Sequence, residues 1–453
     1  MTVDRSRLPV PGQTPPFHFP AIARSTISNG LRVWSVRHVS IPVATIMLLI
    51  RRGAADDPPG KEGLAAITAD MLDEGTGALS SIEVHEALAR VGAQLDSDIG
   101  PDATLLTVTV LSRFVKPALA LLADIVVRPS MREEDFLRVR QLRLHRLMQL
   151  KDMPGAVADR AFMRLLYGQH PYGHTPLGTE ASLSSLTLDD VRAFHATHVR
   201  PADTTLVVAG DCDHAELEAL ATDVFDGWSG AATSPLPVAA DLLTPPRLSI
   251  IPRPSATQSE LRIGHVAVAR NTPDYHALVA ANMVLGGQFV SRINLNLREE
   301  KGFTYGARTS FDFRRLPGPF SLQVSVQTAA TAEAIRESIA EISGIRDTHP
   351  VTAEELSLGV AALTRGYARN FETAEQLARA ATQLALYDLP DSYFDEFVAR
   401  VEAVSVTDVT RVAHTYLHPD RLTTLIVGDY AAVSRSLNTL GLGAPSILAA
   451  DTF

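Results

Sequence analysis

TLDDVRAFHATHVRPADTTLVVAGD, residues 187–211, is answered later in the chain by TDVTRVAHTYLHPDRLTTLIVGD, residues 407–429. In the first stretch Thr187, Asp190 and Val191 lead through Phe194 and His198 to Pro201, then to an apolar run closed by Gly210 and Asp211. In the second, Thr407, Asp408 and Val409 lead through Val412 and Tyr416 to Pro419, then to a run closed by Gly428 and Asp429. From Val191 to Pro201 to Gly210 the steps are ten and nine residues, and from Val409 to Pro419 to Gly428 they are again ten and nine. Chance rarely supplies two such copies without a gap, so the chain reads as an internal duplication. Each copy predicts an amphipathic helix, a proline-containing loop and a buried strand.

Working outward, each half opens with strands. Ala23–Ser28 and Leu31–Arg37 flank Asn29-Gly30, a two-residue hairpin signal, and Val43–Ile50 is a nearly continuous apolar run of strand length. Arg247–Ile251 and Glu260–Val266 open the second half. Helical patterns fill the rest, among them Arg132–Lys151 and Thr331–Ile345. Residues 229–246, SGAATSPLPVAADLLTPP, have neither helical nor strand period and read as a linker. The expected organisation is an extended N-terminal arm (1–22), a first domain (23–228), the linker (229–246) and a second domain (247–453). Both domains are expected to be α+β, a sheet backed by helices.

Composition narrows the function. Of 453 residues, 46% are hydrophobic and 20% charged, which suits a globular protein with a sizeable core. No apolar run reaches the roughly 18 residues that span a bilayer, so no membrane partner is expected. The net charge of −10 argues against nucleic acid as a partner. The N-terminus is Pro-rich and lacks the apolar core of a secretion signal, and the single cysteine, Cys212, excludes an internal disulfide. These features suit a cytoplasmic protein; the same chain freed of a leader would suit the periplasm.

The passage GAADDPPGKEGLAAITADMLDEGT, residues 53–76, resembles the signature region of the pitrilysin or insulinase-type zinc peptidases, the inverted zincins. In that family a helix carries His-x-x-Glu-His, followed by Met and then Gly-Thr; here Gly63, Leu64, Met71, Gly75 and Thr76 stand where the pattern wants them. The resemblance extends through HPYGHTPLG (170–178) to GGQFVSRINLNLREEKGFTYG (286–306), and it is strongest to processing-peptidase-like members. Such chains are expected to form one half of a clamshell. A catalytic zinc needs three ligands, an open position and a carboxylate to take the water's proton. The two histidine positions of the motif hold Ala66 and Asp70, and the general-base position holds Ala69. Counting back from Met153-Pro154, the position of the distal glutamate ligand falls on Arg146. The expectation is therefore no metal in this chain, with Asp70 and Arg146 paired where a metal would lie. His170 and His174 are four apart, but Pro171-Tyr172-Gly173 makes a turn between them, so they are not read as a ligand pair. His195 and His198 are read as ordinary helix residues.

The later block keeps what the first has lost. The resemblance implies that Arg298 and Tyr305, seven residues apart, face a zinc site across a cavity, where they bind substrate and stabilise an oxyanion. A chain without ligands that retains such a pair implies a partner: a homologous subunit carrying His-x-x-Glu-His, which would hold the zinc in a heterodimer. The substrate would be a peptide in extended form. The competing readings are a catalytically inert structural or interaction protein of the same descent, and a homodimeric enzyme with unrelated chemistry. For the latter no nucleophile–base set is present: Cys212 ends a strand in Gly-Asp-Cys-Asp, and a Gly-x-Ser-x-Gly elbow is absent.

Overall fold

The computed structural model describes residues 17–77, 79–233 and 247–449. Most of the sequence-predicted linker and residues 1–16 of the predicted arm lie outside these. The strands of the first sheet are β1 (Ile22–Thr26), β2 (Arg32–Arg37), β3 (Val43–Ile50), β4 (Leu95–Ile99), β5 (Thr104–Leu111) and β6 (Thr204–Gly210). Those of the second are β7 (Leu248–Pro252), β8 (Gln258–Val268), β9 (Ala307–Phe311), β10 (Gly318–Gln327), β11 (Thr423–Gly428) and β12 (Ser446–Ile447). The helices used below are α1 (Leu64–Asp70), α2 (Val115–Val127), α3 (Glu133–Lys151), α4 (Pro154–Tyr167), α5 (Leu188–His198), α6 (Thr331–Gly344), α7 (Ala353–Thr364), α8 (Ala374–Tyr387) and α9 (Val406–Tyr416). The protein is α+β, and among the described residues no helix is long and apolar enough to cross a membrane.

The duplication is visible in the topology. The first sheet runs β1-β2-β6-β3-β5-β4 and the second β12-β7-β11-β8-β10-β9. In both, the repeat strand (β6 or β11) lies parallel to one neighbour and antiparallel to the other. The repeat helices start alike. Thr187 caps α5 by accepting from the Asp190 amide, and Ser405 caps α9 by accepting from that of Asp408. The equivalent of Thr187 is thus Ser405, not Thr407, which lies inside the helix. The predicted two-residue hairpin is also corrected. β1 ends at Thr26, β2 resumes at Arg32, and the Ile27 amide donates to Leu31 O at 3.0 Å. The wider loop lets the Asn29 amide donate to Phe225 O and Trp228 O, at 3.2 and 3.1 Å, which ties the turn to the end of the first half.

Alternation along the strands divides each sheet into two apolar faces. In β3, Ile46, Leu48 and Ile50 turn toward helices of their own half, packing with Ile67 of α1, Leu119 of α2 and Phe194 of α5. Met47 and Leu49, with Trp34, Val36 and Val207, face the other way and meet α8, a helix of the second half, through Leu377, Ala378, Ala381 and Leu384. The second sheet does the converse. Ile250, Ile263 and Leu322 pack with their own helices, while Ile251, Leu425 and Val427 meet Val157, Ala158, Ala161 and Phe162 of α4, from the first half. Alanines on both helices allow close approach to the strands. The halves therefore exchange helices, each closing the other's sheet.

Polar ties accompany the exchange. The buried Asp102 accepts from the Tyr172 hydroxyl and, at 2.8 Å, from the Arg315 amide. Arg262 of β8 reaches Asp159 of α4 at 2.7 Å. Near the N-terminus Phe17 stacks on Phe371 with centroids 4.6 Å apart, and the Phe19 amide donates to Asp395 at 2.6 Å.

Truncating a side chain at the exchange should cost the whole chain its stability. Leu377→Ala, at a position with no solvent exposure, is expected to lower unfolding free energy by about 2–5 kcal/mol. Urea denaturation should show one transition shifted as a unit. Two transitions, only one of them moved, would show that the halves unfold independently.

Candidate functional site

Helix α1 is seven residues long and is held from its N-terminal side. The Asp57 carboxylate, fully buried, accepts from the Gly63 and Ala65 amides at 2.7 and 2.6 Å. His174 Nε2 lies 3.1 Å from Asp57 Oδ2 and 2.8 Å from Ala54 O. Burial pushes the Asp57 carboxyl up, against the pull of His174 and the two amides. His170 turns elsewhere: its Nδ1 accepts from the Tyr172 amide at 2.9 Å. The two histidines of HPYGH thus have separate structural partners. His195 lies 2.8 Å from Val126 O through its Nε2.

Two motif glycines meet under this helix. Gly63 has φ of 95°, and a Cβ there would lie 3.1 Å from Gly178 Cα; a Cβ on Gly178 would lie 2.3 Å from Glu62 O. Farther on, Met71 is core, Gly75 has φ of 131°, and the Thr76 hydroxyl donates to Asp124 O at 2.6 Å at the end of α2. These signature residues are kept by packing.

Ala66, Ala69 and Asp70 share one face of α1, where both alanines are buried. Asp70 does not meet Arg146. Its Oδ2 accepts from Arg143 Nε at 2.6 Å, whereas Arg146 is exposed. Helix phase explains the difference. The inward line of α3 runs through Phe136, Val139, Arg143 and Leu147, and residue 146 falls to its side. A zinc ion does not fit this set: two positions offer methyl groups, and the one carboxylate is taken by a guanidinium. Among the described residues no group of three His, Cys, Asp or Glu side chains is arranged to hold a metal.

The second block builds a different surface. Residues 283–287 and 295–300 are π-helical turns, an irregularity that recurs at functional sites. A Cβ on Gly286 would lie 2.4 Å from Thr309 Oγ1, so only glycine lets this turn approach β9. Between the turns sits Asn294, buried, whose amide exchanges two 2.8 Å bonds with the backbone of Ala307 and donates to Gln288 O at 3.1 Å. It fixes the start of β9, two residues beyond Tyr305, against the turn that bears Arg298. Arg292 clamps the same segment to α7 through a two-pronged pair with Glu355, at 2.6 and 2.7 Å. The guanidinium and the helix-capping bonds pull the Glu355 carboxyl down to about 2.

Arg298 and Tyr305 line one groove of about 420 Å³ with Gly286, Gly287, Phe289 and Arg308. The Arg298 guanidinium stacks 3.3 Å from the centre of the Phe289 ring, and its Nε donates to Glu299 Oε1 at 2.9 Å. Its Nη1 is buried without a hydrogen-bond partner, an unspent donor. The Tyr305 ring is 94% exposed, and Phe289 is 71% exposed. Lys301, in the same block, is bound to Glu333 at 3.0 Å. The groove thus offers a cationic donor and a phenol to whatever lies against it. Sequence reasoning missed Asn294, Phe289 and Arg143. An asparagine flanked by Ile293 and Leu295 in a helical pattern is the one readable signal among them, because asparagine is a poor helix former.

Comparison with known proteins places both regions. Residues 32–180 match the model of the insulinase family, peptidase family M16, and residues 185–363 that of the peptidase M16 inactive domain. An uncharacterized zinc protease of Mycobacterium leprae is 23% identical over 420 residues, 91% of this chain and 92% of that protein. The mitochondrial-processing peptidase subunit beta of Lentinula edodes is 27% identical over 275 residues, 58% of this chain and 57% of that one. Among solved structures, a peptidase M16 inactive domain from Pseudomonas fluorescens is 25% identical with a TM-score of 0.82, covering 94% of this chain and all of its own. A protease from Helicobacter pylori shares the fold with a TM-score of 0.81.

Two expectations follow. Ala66→His, Ala69→Glu and Asp70→His combined with Arg143→Glu should create a chain that retains zinc on elemental analysis, while the same triple change with Arg146→Glu should not. Equal zinc in both would place the fourth position elsewhere. Separately, Glu355 has a depressed folded pKa, so its contribution is present above the ordinary 4.5 and lost as pH falls toward 2. Acid unfolding of Glu355→Gln should show a shallower stability loss across that window, read by circular dichroism.

Proposed function

The chain belongs to peptidase family M16, and on that premise we propose that it is the non-zinc subunit of a heteromeric metallopeptidase. The observation that supports this reading best is a contrast within one molecule. The metal face of α1 is disarmed by Ala66, Ala69 and the Asp70–Arg143 pair, while Arg298 and Tyr305 stay together in an open groove with an unpartnered donor. A pair with no metal centre in its own chain is useful when a second chain brings one.

In this reading the partner is a homologous subunit with His-x-x-Glu-His, and the two chains enclose a cavity as halves of a clamshell. The partner's zinc would supply the activated water. The residues of this chain act on the other side of the scissile bond. Hydrolysis of a peptide moves negative charge onto the carbonyl oxygen, and a guanidinium N–H with a phenol O–H would donate to it there. The stacking of Arg298 on Phe289 and its bond to Glu299 hold the guanidinium plane before substrate arrives, so little ordering remains to be done. The substrate is a peptide or unfolded segment in extended form, and the compartment is the cytoplasm.

Co-expression with a zinc-motif homologue should give a stable complex with peptidase activity that neither chain has alone. In that complex Tyr305→Phe and Arg298→Ala should each lower kcat by about 10²–10³-fold if they stabilise the oxyanion. A raised KM with kcat kept would assign them to peptide binding. Lys301→Ala, which breaks the contacts with Glu333 and Glu337 away from the groove, should leave kcat within a factor of about 3. If all three variants lose the same small factor, or mixing the chains yields no complex, the inert interaction protein is the better account.

A further inference from the structure

Helix α4 covers β8 and β11 of the second sheet, and beside it the face shared by β9 and β10 stays open. On that face Arg308 lies opposite Gln323 and Ser310 opposite Ser321. A second cavity, of about 370 Å³, runs over these residues to Asp159 and Met163 of α4. Arg308 and Gln323 also line the groove that holds Arg298 and Tyr305, so the two spaces adjoin. The result is a trough along β9, which among the described residues is an edge strand of its sheet.

The charges in this trough are unevenly satisfied. Asp312 is held by Arg314 at 2.6 Å, and Asp159 by Arg262 at 2.7 Å. Arg308 is exposed and, among the described residues, its side chain has no ion pair. The open charge is therefore positive. It stands three residues from Tyr305, about 10 Å along an extended chain. The backbone groups of Ala307 are spent on Asn294 and Gly286 lies against Thr309, so a peptide lying in this trough is read by the side chains along its floor rather than by strand pairing.

We infer that this trough is a peptide subsite and that Arg308 selects a carboxylate of the bound peptide a few residues from the point held by Arg298 and Tyr305. The placing of the carboxylate relative to a scissile bond rests on the function proposed above; the selection itself does not. A carboxylate could come from an internal Asp or Glu side chain or from the peptide's C-terminus. Both offer the same two oxygens to a guanidinium fork.

The test uses the purified full-length chain and fluorescence anisotropy with short labelled peptides rich in Val and Thr. One carries an internal Glu with an amidated C-terminus, one carries Gln in its place, and one carries Gln with a free C-terminal carboxylate. The Glu peptide is expected to bind roughly fivefold more tightly than its amidated Gln counterpart at low salt, an advantage that shrinks as salt rises. A matching gain for the free-terminus peptide instead would assign the subsite to a chain end. Arg308→Gln should abolish either preference, so that all three peptides bind alike. Arg308→Glu should turn the preference toward a Lys peptide. If the unaltered chain binds all three peptides alike, or if Arg308→Gln keeps the preference, the inference is overturned. If the preference depends on Arg308 while Arg298→Ala and Tyr305→Phe leave the activity of the complex untouched, the subsite stands and the oxyanion role falls.

Discussion

Each sheet of this protein has two apolar faces, and its own half supplies helices for only one of them. That shortage is the constraint from which the architecture follows. Residues of both parities in β3 are buried, so leaving Met47 and Leu49 to water would cost about 1.5–3 kcal/mol for each side chain. Helix α8 closes that face from the second half, and α4 returns the service. The cover is also incomplete in a definite way. α4 lies across β8 and β11 and stops short of the edge pair β9–β10, and the polar trough beside Tyr305 is the uncovered remainder.

Much of this was legible in the chain. The ten-and-nine spacing of the repeat predicts two equivalent units, and the matched strand orders of the two sheets are its consequence. Val43–Ile50 reads as a largely apolar strand, and β3 occupies those residues and is buried on both faces. The exchange of helices was not legible. An Ala-rich amphipathic segment announces that one face will be buried, but nothing in its pattern says against which sheet. Counting residues also failed where helix phase decides. Arg146 and Arg143 differ by less than one turn, and that fraction of a turn separates solvent from Asp70.

The disarmed motif shows why a signature can outlive its chemistry. Gly63, Gly178, Met71, Gly75 and Thr76 are tied to backbone conformation and packing, so each would be costly to replace whether or not a metal were bound. Ala66 and Ala69 offer only methyl groups and Asp70 is bonded to Arg143 of α3, so none of the three is tied by a side-chain hydrogen bond to the turn below them. Arg143 then supplies positive charge beside the remaining, half-buried carboxylate, so Asp70 is not left unpaired. The block around Arg298 is different in kind. Asn294 and Arg292 are spent on its placement, yet Tyr305 is exposed and Arg298 Nη1, although buried, has no hydrogen-bond partner.

The reciprocal placement of α4 and α8 also bears on the protein's ancestry. A tandem duplication ordinarily leaves two units, either of which can later be trimmed away. Once each unit has lent a helix to the other, that route closes. A descendant that dropped its first half would strip α4 from the second sheet, and one that dropped its second half would strip α8 from the first. Either survivor would carry a bare apolar sheet face into its first round of folding, an invitation to aggregation. The doubled chain is in this sense a ratchet: it could shed a metal centre by a few substitutions, but it could not return to being half its length.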